Sequence, residues 1–183
     1  MPDNCLIVVD MLNDFLDRWE PENRTVLIAN TNHLITKFRQ ANCPVIWVRQ
    51  AFNPDLSDAF QEMRDQQISI TIEGTCGAEI HNDLDRLSTE LVVTKKRYSA
   101  FFQTELDAIL IELNPKGITL AGVNTHACIR MTAIDAYQRD IRVMIASDCV
   151  GSSDAEHGRL SMDYMNGGIA TVLPSKAIAE ALL

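Results

Sequence analysis

The chain is short of positive charge: 16 Lys and Arg stand against 25 Asp and Glu, a formal net charge of -9. The longest basic stretch is Lys95-Lys96-Arg97. Nucleic-acid binding needs a basic face, so this deficit argues against such partners and mainly aids solubility. No G-x-G-x-x-G follows the first apolar run and no G-x-x-x-x-G-K-[ST] occurs, which leaves nucleotide phosphates without a cradle. No stretch approaches the roughly 18 apolar residues of a membrane span. The opening MPDNCLIVVD lacks the basic start and separate apolar segment of a signal peptide, so a cytoplasmic location with no membrane partner is expected. The cysteines, Cys5, Cys43, Cys76, Cys128 and Cys149, are odd in number and contain no C-x-x-C pair, the pattern of reduced thiols. His33, His81 and His157 are dispersed without metal-ligand spacing, whereas His126, two residues before Cys128 and so directed to another face of the turn, reads as a pocket-edge or interface residue more than as a base. Repeats, low-complexity tracts and Pro/Gly/Ser-rich linkers are also missing, and 183 residues of ordinary globular composition read as one domain spanning 1–183.

What is present is alternation. Cys5–Val9, Pro44–Arg49, Leu91–Thr94, Gly117–Val123, Ile141–Ala146 and Ile169–Leu173 are short apolar runs of strand length. Helical spacing fills Pro21–Ala41, Thr104–Leu113, Thr125–Arg139, Asp154–Met165 and Ser175–Leu182. Parallel strands need crossover connections and helices supply them, so the fold class is α/β: a three-layer, doubly wound, six-stranded parallel sheet of order 3-2-1-4-5-6. The one long irregular region, about 52–86, contains Asn53-Pro54, Gly74 and Gly77 and reads as an active-site loop with some helix in it.

In such a sheet the ligand crevice lies beyond the carboxyl ends of the strands where their order reverses, here between strands 1 and 4. Asp10 ends strand 1, and Asn124-Thr125-His126-Ala127-Cys128 leads from strand 4 into a helix. A cysteine in a first helical turn meets unpaired N–H groups and the positive end of the helix dipole, which predicts a thiolate pKa below the free value of about 8.5. Lys95 would add positive charge, and Asp10 could take the thiol proton and return it to a leaving group. Trp47, Tyr98 and Phe101 offer apolar walls, though core packing explains each about as well.

VVDMLNDF (8–15), KKRYSAFFQTELD (95–107) and AGVNTHACIRMTAIDAYQRD (121–140), in this order, resemble the isochorismatase-like cysteine hydrolases, among them nicotinamidases, carbamoyl-amide hydrolases and isochorismatase itself. The resemblance implies a triad of Asp10 as acid/base, Lys95 as its lysine and Cys128 as nucleophile. Lys95 is preferred to Lys96 because the family pattern is Lys, any residue, then Arg-Tyr-Ser-Ala-Phe. It also implies a cis peptide at Val123-Asn124 and an oxyanion hole formed by the N–H groups of Asn124 and Cys128. The family's Gly-Thr-x-Gly turn brings Thr75 toward the pocket, and Phe15, Gln50 and Thr125 complete the candidate lining. Nicotinamidases of the family carry Asp-x-His after strand 2, where this chain has Arg49-Gln50-Ala51-Phe52-Asn53-Pro54-Asp55. The expectation is therefore no metal and no cofactor.

The chemistry implied is attack of Cys128 on a small amide or carbamoyl carbon, departure of ammonia or amine, and hydrolysis of the thioester. Two other readings stay open: a vinyl-ether hydrolase of the isochorismatase type, which does not need the cysteine, and a catalytically idle binding protein on the same fold. A small-molecule substrate and a homo-oligomer, dimer or tetramer, are the partners the resemblance implies.

Overall fold

A computed structural model describes residues 3–182; Met1, Pro2 and Leu183 lie outside the described residues. Six parallel strands, β1 (Cys5–Val9), β2 (Val45–Gln50), β3 (Leu91–Lys95), β4 (Ile118–Val123), β5 (Val143–Gly151) and β6 (Thr171–Leu173), form one sheet of order β3-β2-β1-β4-β5-β6. Helices cover both faces, so the predicted α/β architecture and strand order are the observed ones.

Period-2 alternation sorts each strand between two cores. Ile7, Val9, Ile46, Val48, Val93, Ile118 and Leu120 pack under α4 (Leu106–Leu113), α5 (Arg130–Tyr137) and α6 (Ala155–Met165). Leu6, Val8, Val45, Trp47, Ala121 and Val123 pack under α2 (Pro21–Gln40) and α7 (Ser175–Glu180). β1 is buried along its whole length, as a central strand covered on both faces must be. Each fully buried branched side chain there contributes on the order of 1.5–3 kcal/mol.

The differences from expectation fall at element ends. α2 runs as predicted, Pro21 at its first position needing no N–H partner. The predicted helix 125–139 is instead a π-turn over Thr125–Ile129 followed by α5, because the Asn124 carbonyl accepts from both Ala127 N (3.1 Å) and Ile129 N (3.2 Å). β5 is longer than predicted and reaches Gly151, its pairing with β4 shifting register between Leu120 and Gly122. At Gly122 the backbone has φ 121°, and a Cβ would lie 1.9 Å from the Val9 carbonyl, so only glycine lets β4 approach β1 at this level.

Between β2 and β3 the irregular region holds α3 (Gln61–Gln66), a 3-10 turn at Cys76–Ala78 and its own small core of Phe52, Leu56, Ala59 and Met63. It is tied to a short helix absent from the sequence reading, α1 (Asn13–Leu16), by the Leu12–Ile80 bridge and by Asp14, whose carboxylate accepts from Thr71 N at 2.6 Å. The region is thus anchored to the loop that follows Asp10.

Candidate active site

Asp10 is the first residue past β1. Its N–H donates to Val48 O (2.8 Å), its carbonyl accepts from Leu12 N (2.8 Å), and its backbone takes φ 54°. A left-handed non-glycine residue is uncommon and recurs at functional sites. The conformation turns the carboxylate back over the sheet, where Oδ1 accepts from Gln50 N at 2.8 Å and Oδ2 meets Lys95 Nζ at 2.7 Å. Lys95, the last residue of β3, also donates to Arg97 O (3.0 Å) and to Cys128 Sγ (3.4 Å). Three residues from β1, β3 and the π-turn therefore meet around one ammonium group. Lys96 points elsewhere, pairing with Asp58 at 2.8 Å.

The three side chains are sealed: Asp10 and Lys95 are 0% exposed and Cys128 5%. Burial drives the Lys95 pKa down, but Asp10 and Cys128 outweigh it and the net direction is up. For Cys128 the net direction is opposite to that predicted. Burial, then the Asp10 charge, push its thiol up to about 12, and Lys95 only partly offsets them. The helix-start argument fails because it treats the thiol as solvated, whereas this one is enclosed beside a carboxylate. Enclosure therefore favours the thiol over the thiolate at Cys128.

The other expected residues divide. Gln50 shares a sheet face with Lys95, since Gln50 and Lys95 are register partners and Ile46, Val48 and Val93 of the same parity pack in the Cys128 core. It is 5% exposed and its Nε2 has no hydrogen-bond partner among the described residues. Thr125 is buried at the head of the π-turn. The peptide between Val123 and Asn124 is cis. Phe15 is half-buried at the edge of the α2 core, and Tyr98 is exposed and packs on Phe60 (centroids 5.0 Å apart) beside the loop core.

Trp47 and Phe101, candidates for the pocket lining, are both buried in the cores. Trp47 is buried under α2, its indole N–H donating to Glu90 at 2.8 Å, and Phe101 lies in the opposite core with Arg139 stacked 4.5 Å above its ring. Aromatic type alone does not separate a core wall from a pocket wall. Thr75 is exposed and spends its hydroxyl on Ile72 O (2.7 Å). The neighbouring Cys76 is exposed and receives Asn13 Nδ2 on its carbonyl (2.8 Å) and its sulfur (3.4 Å).

Two surface concavities lie away from these residues. One of about 780 Å³ opens between Asn4, Lys116, Tyr137, Arg142 and Gly168 at the amino ends of the strands, and one of about 550 Å³ between Arg49, His81, Arg86 and Thr94. Among the described residues no three His, Cys, Asp or Glu side chains gather as a metal site, and no helix is long and apolar enough to cross a membrane. His126, read from the sequence as a pocket-edge or interface residue, shares the π-turn with Cys128 and contacts Ser152 through Nδ1. That contact joins residues 26 apart in sequence, and no local pattern announces it.

A doubly wound sheet with a buried Asp–Lys–Cys cluster at its switch point defines the class, and comparison supplies the family. The isochorismatase domain model matches residues 4–177, and the chain belongs to that family. An isochorismatase family protein from Desulfovibrio vulgaris superposes with a TM-score of 0.91 at 28% identity, covering 100% of this chain and 99% of the other. N-carbamoylsarcosine amidase from Thermoplasma acidophilum gives 0.82 at 28% identity, covering 96% and 97%. A probable inactive nicotinamidase of Arabidopsis thaliana is 29% identical over 91% of this chain and 90% of its own length.

Proposed function

We propose that the protein is a cysteine hydrolase acting on a small amide or carbamoyl substrate through a Cys128 thioester. The observation that carries this reading is the single ammonium of Lys95, 2.7 Å from Asp10 and 3.4 Å from Cys128, with all three groups out of solvent. The geometry gives each a task. The thiol proton passes to Asp10 while Lys95 holds the forming thiolate. Sulfur adds to the carbonyl carbon, and the oxyanion is received by the N–H groups of Asn124 and Cys128. The Cys128 amide is not spent on the Asn124 carbonyl, which takes the amides on either side of it. Asp10 returns the proton to the departing nitrogen, then takes one from the water that cleaves the thioester. The chemistry calls for no metal.

Likeness to N-carbamoylsarcosine amidase supports a C–N bond as the target. A cluster built around a thiol favours acyl transfer over the vinyl-ether reaction, which has no use for it. The test is ammonia release from a panel of small amides and ureido acids, with Cys128→Ser as control. Turnover by the parent and loss of at least about a thousandfold in the variant is expected. Full activity of Cys128→Ser would return the vinyl-ether reading, and inactivity of the parent on every amide and ureido acid would count against the proposal.

A further inference from the structure

The π-turn that carries Cys128 is held from outside. Within it the Asn124 carbonyl serves both Ala127 and Ile129. Two external ties come from consecutive residues just past β5: Ser153 N donates to Asn124 Oδ1 at 2.8 Å, and Ser152 Oγ is hydrogen-bonded to His126 Nδ1. Ser152 is fixed in turn by the first turn of α6. A Cβ on Gly158 would lie 2.7 Å from Ser152 Cβ and 3.2 Å from its Oγ, while meeting Thr125 only at an ordinary 4.0 Å. That turn is pinned by Asp154, whose carboxylate accepts from His157 N at 2.8 Å and whose carbonyl accepts from Gly158 N at 2.9 Å. The His126 ring faces His157, centroids 6.0 Å apart. Burial lowers its pKa, Asp154 opposes and His157 assists, so at neutral pH the ring is uncharged.

We propose that His126 is a positioning residue: locked on Ser152 by the first turn of α6, it holds the π-turn so that the Cys128 sulfur stays buried against Lys95 and Asp10. Helix α6 contributes no group to the cluster, yet its tight packing at Gly158 reaches the thiol through Ser152 and His126. The consequence for turnover rests on Cys128 being the nucleophile; the consequence for thiol titration does not.

The experiment uses a Cys76→Ser background, which removes the exposed thiol. The rate of Cys128 alkylation by iodoacetamide is followed by mass spectrometry from pH 7 to 10.5, beside kcat and KM on any amide that is turned over. In the parent, where burial pushes the thiol up to about 12, the labelling rate is still climbing at pH 10.5. In Ser152→Ala, His126→Phe and Gly158→Ala it levels off by about pH 9.5, near an ordinary thiol, and kcat falls about tenfold or more with KM little changed. His126→Asn, whose side-chain amide can take the place of Nδ1, keeps the parent profile and a kcat within about threefold. Parent-like profiles in Ser152→Ala and His126→Phe overturn the proposal, as does His126→Asn behaving like His126→Phe. Should Gly158→Ala not fold, Ser152→Ala and the two His126 variants decide. A shifted profile in a protein that hydrolyses no amide sinks the hydrolase reading and leaves the brace standing.

Discussion

The Lys95 ammonium stands 2.7 Å from the Asp10 carboxylate with both side chains wholly enclosed. An ion pair out of water is held by mutual need: removing one partner strands the other, at a cost of about 3–5 kcal/mol. Lys95→Met is therefore expected to lower urea-unfolding stability by about that amount, and Asp10→Asn with Lys95→Met together to recover much of it. A single variant as stable as the parent would mean that the pair is not enclosed as described.

Gln50 supplies the opposite case. Among the described residues its Nε2 is buried without a partner, so the group costs about 1–3 kcal/mol of desolvation. Gln50→Leu should leave stability unchanged or raise it by about 1 kcal/mol, while raising KM about tenfold through loss of a substrate contact. A Tm lower by several degrees with KM unchanged would identify Gln50 as a structural residue.

Stability should also decline in alkali. Cys5 and Cys149 are pushed up to about 12, both chiefly by burial, with Cys43 acting on the first and Asp148 on the second. The folded-state value lies above the unfolded one, so stability is full below about pH 8.5 and falls as the unfolded chain ionises above it, by at most about 1.4 kcal/mol per thiol per pH unit. Urea midpoints from pH 7 to 11 check this, and Cys5→Ala with Cys149→Ala should lessen the decline, leaving the share of Cys128.

Asp14 anchors the region between β2 and β3 through Thr71 N. Asp14→Ala leaves that amide unpaired and should speed limited proteolysis within 52–86 by several-fold, with global unfolding shifted by about 1–3 kcal/mol or less. Unchanged cleavage would show that the Leu12–Ile80 bridge suffices.

The sheet was legible because buried parallel strands read as short apolar runs, and Cys5–Val9 is one without interruption. The meeting of Asp10 and Cys128 followed from strand order, since each follows a strand at the switch point, while Lys95 rather than Lys96 was what the family resemblance implied. Burial depth was not legible. Charge and helix position pointed to a lowered thiol pKa, but enclosure and the Asp10 charge are tertiary facts and reversed the direction. Trp47 and Phe101 show the same limit, because the face an aromatic ring presents depends on partners such as Glu90 and Arg139, 43 and 38 positions away. The π-turn was hidden for another reason: 3.6-residue spacing and a wider turn bury nearly the same side chains.

The enclosed set of one ammonium, one carboxylate and one thiol has a formal charge of zero before the sulfur is activated. Under the proposed chemistry it has the same charge afterwards, because the proton only changes hands inside it. Arming the nucleophile then exchanges no proton with the solvent. Its rate should form a broad plateau across neutral pH, bounded only where the set as a whole gains or loses a proton.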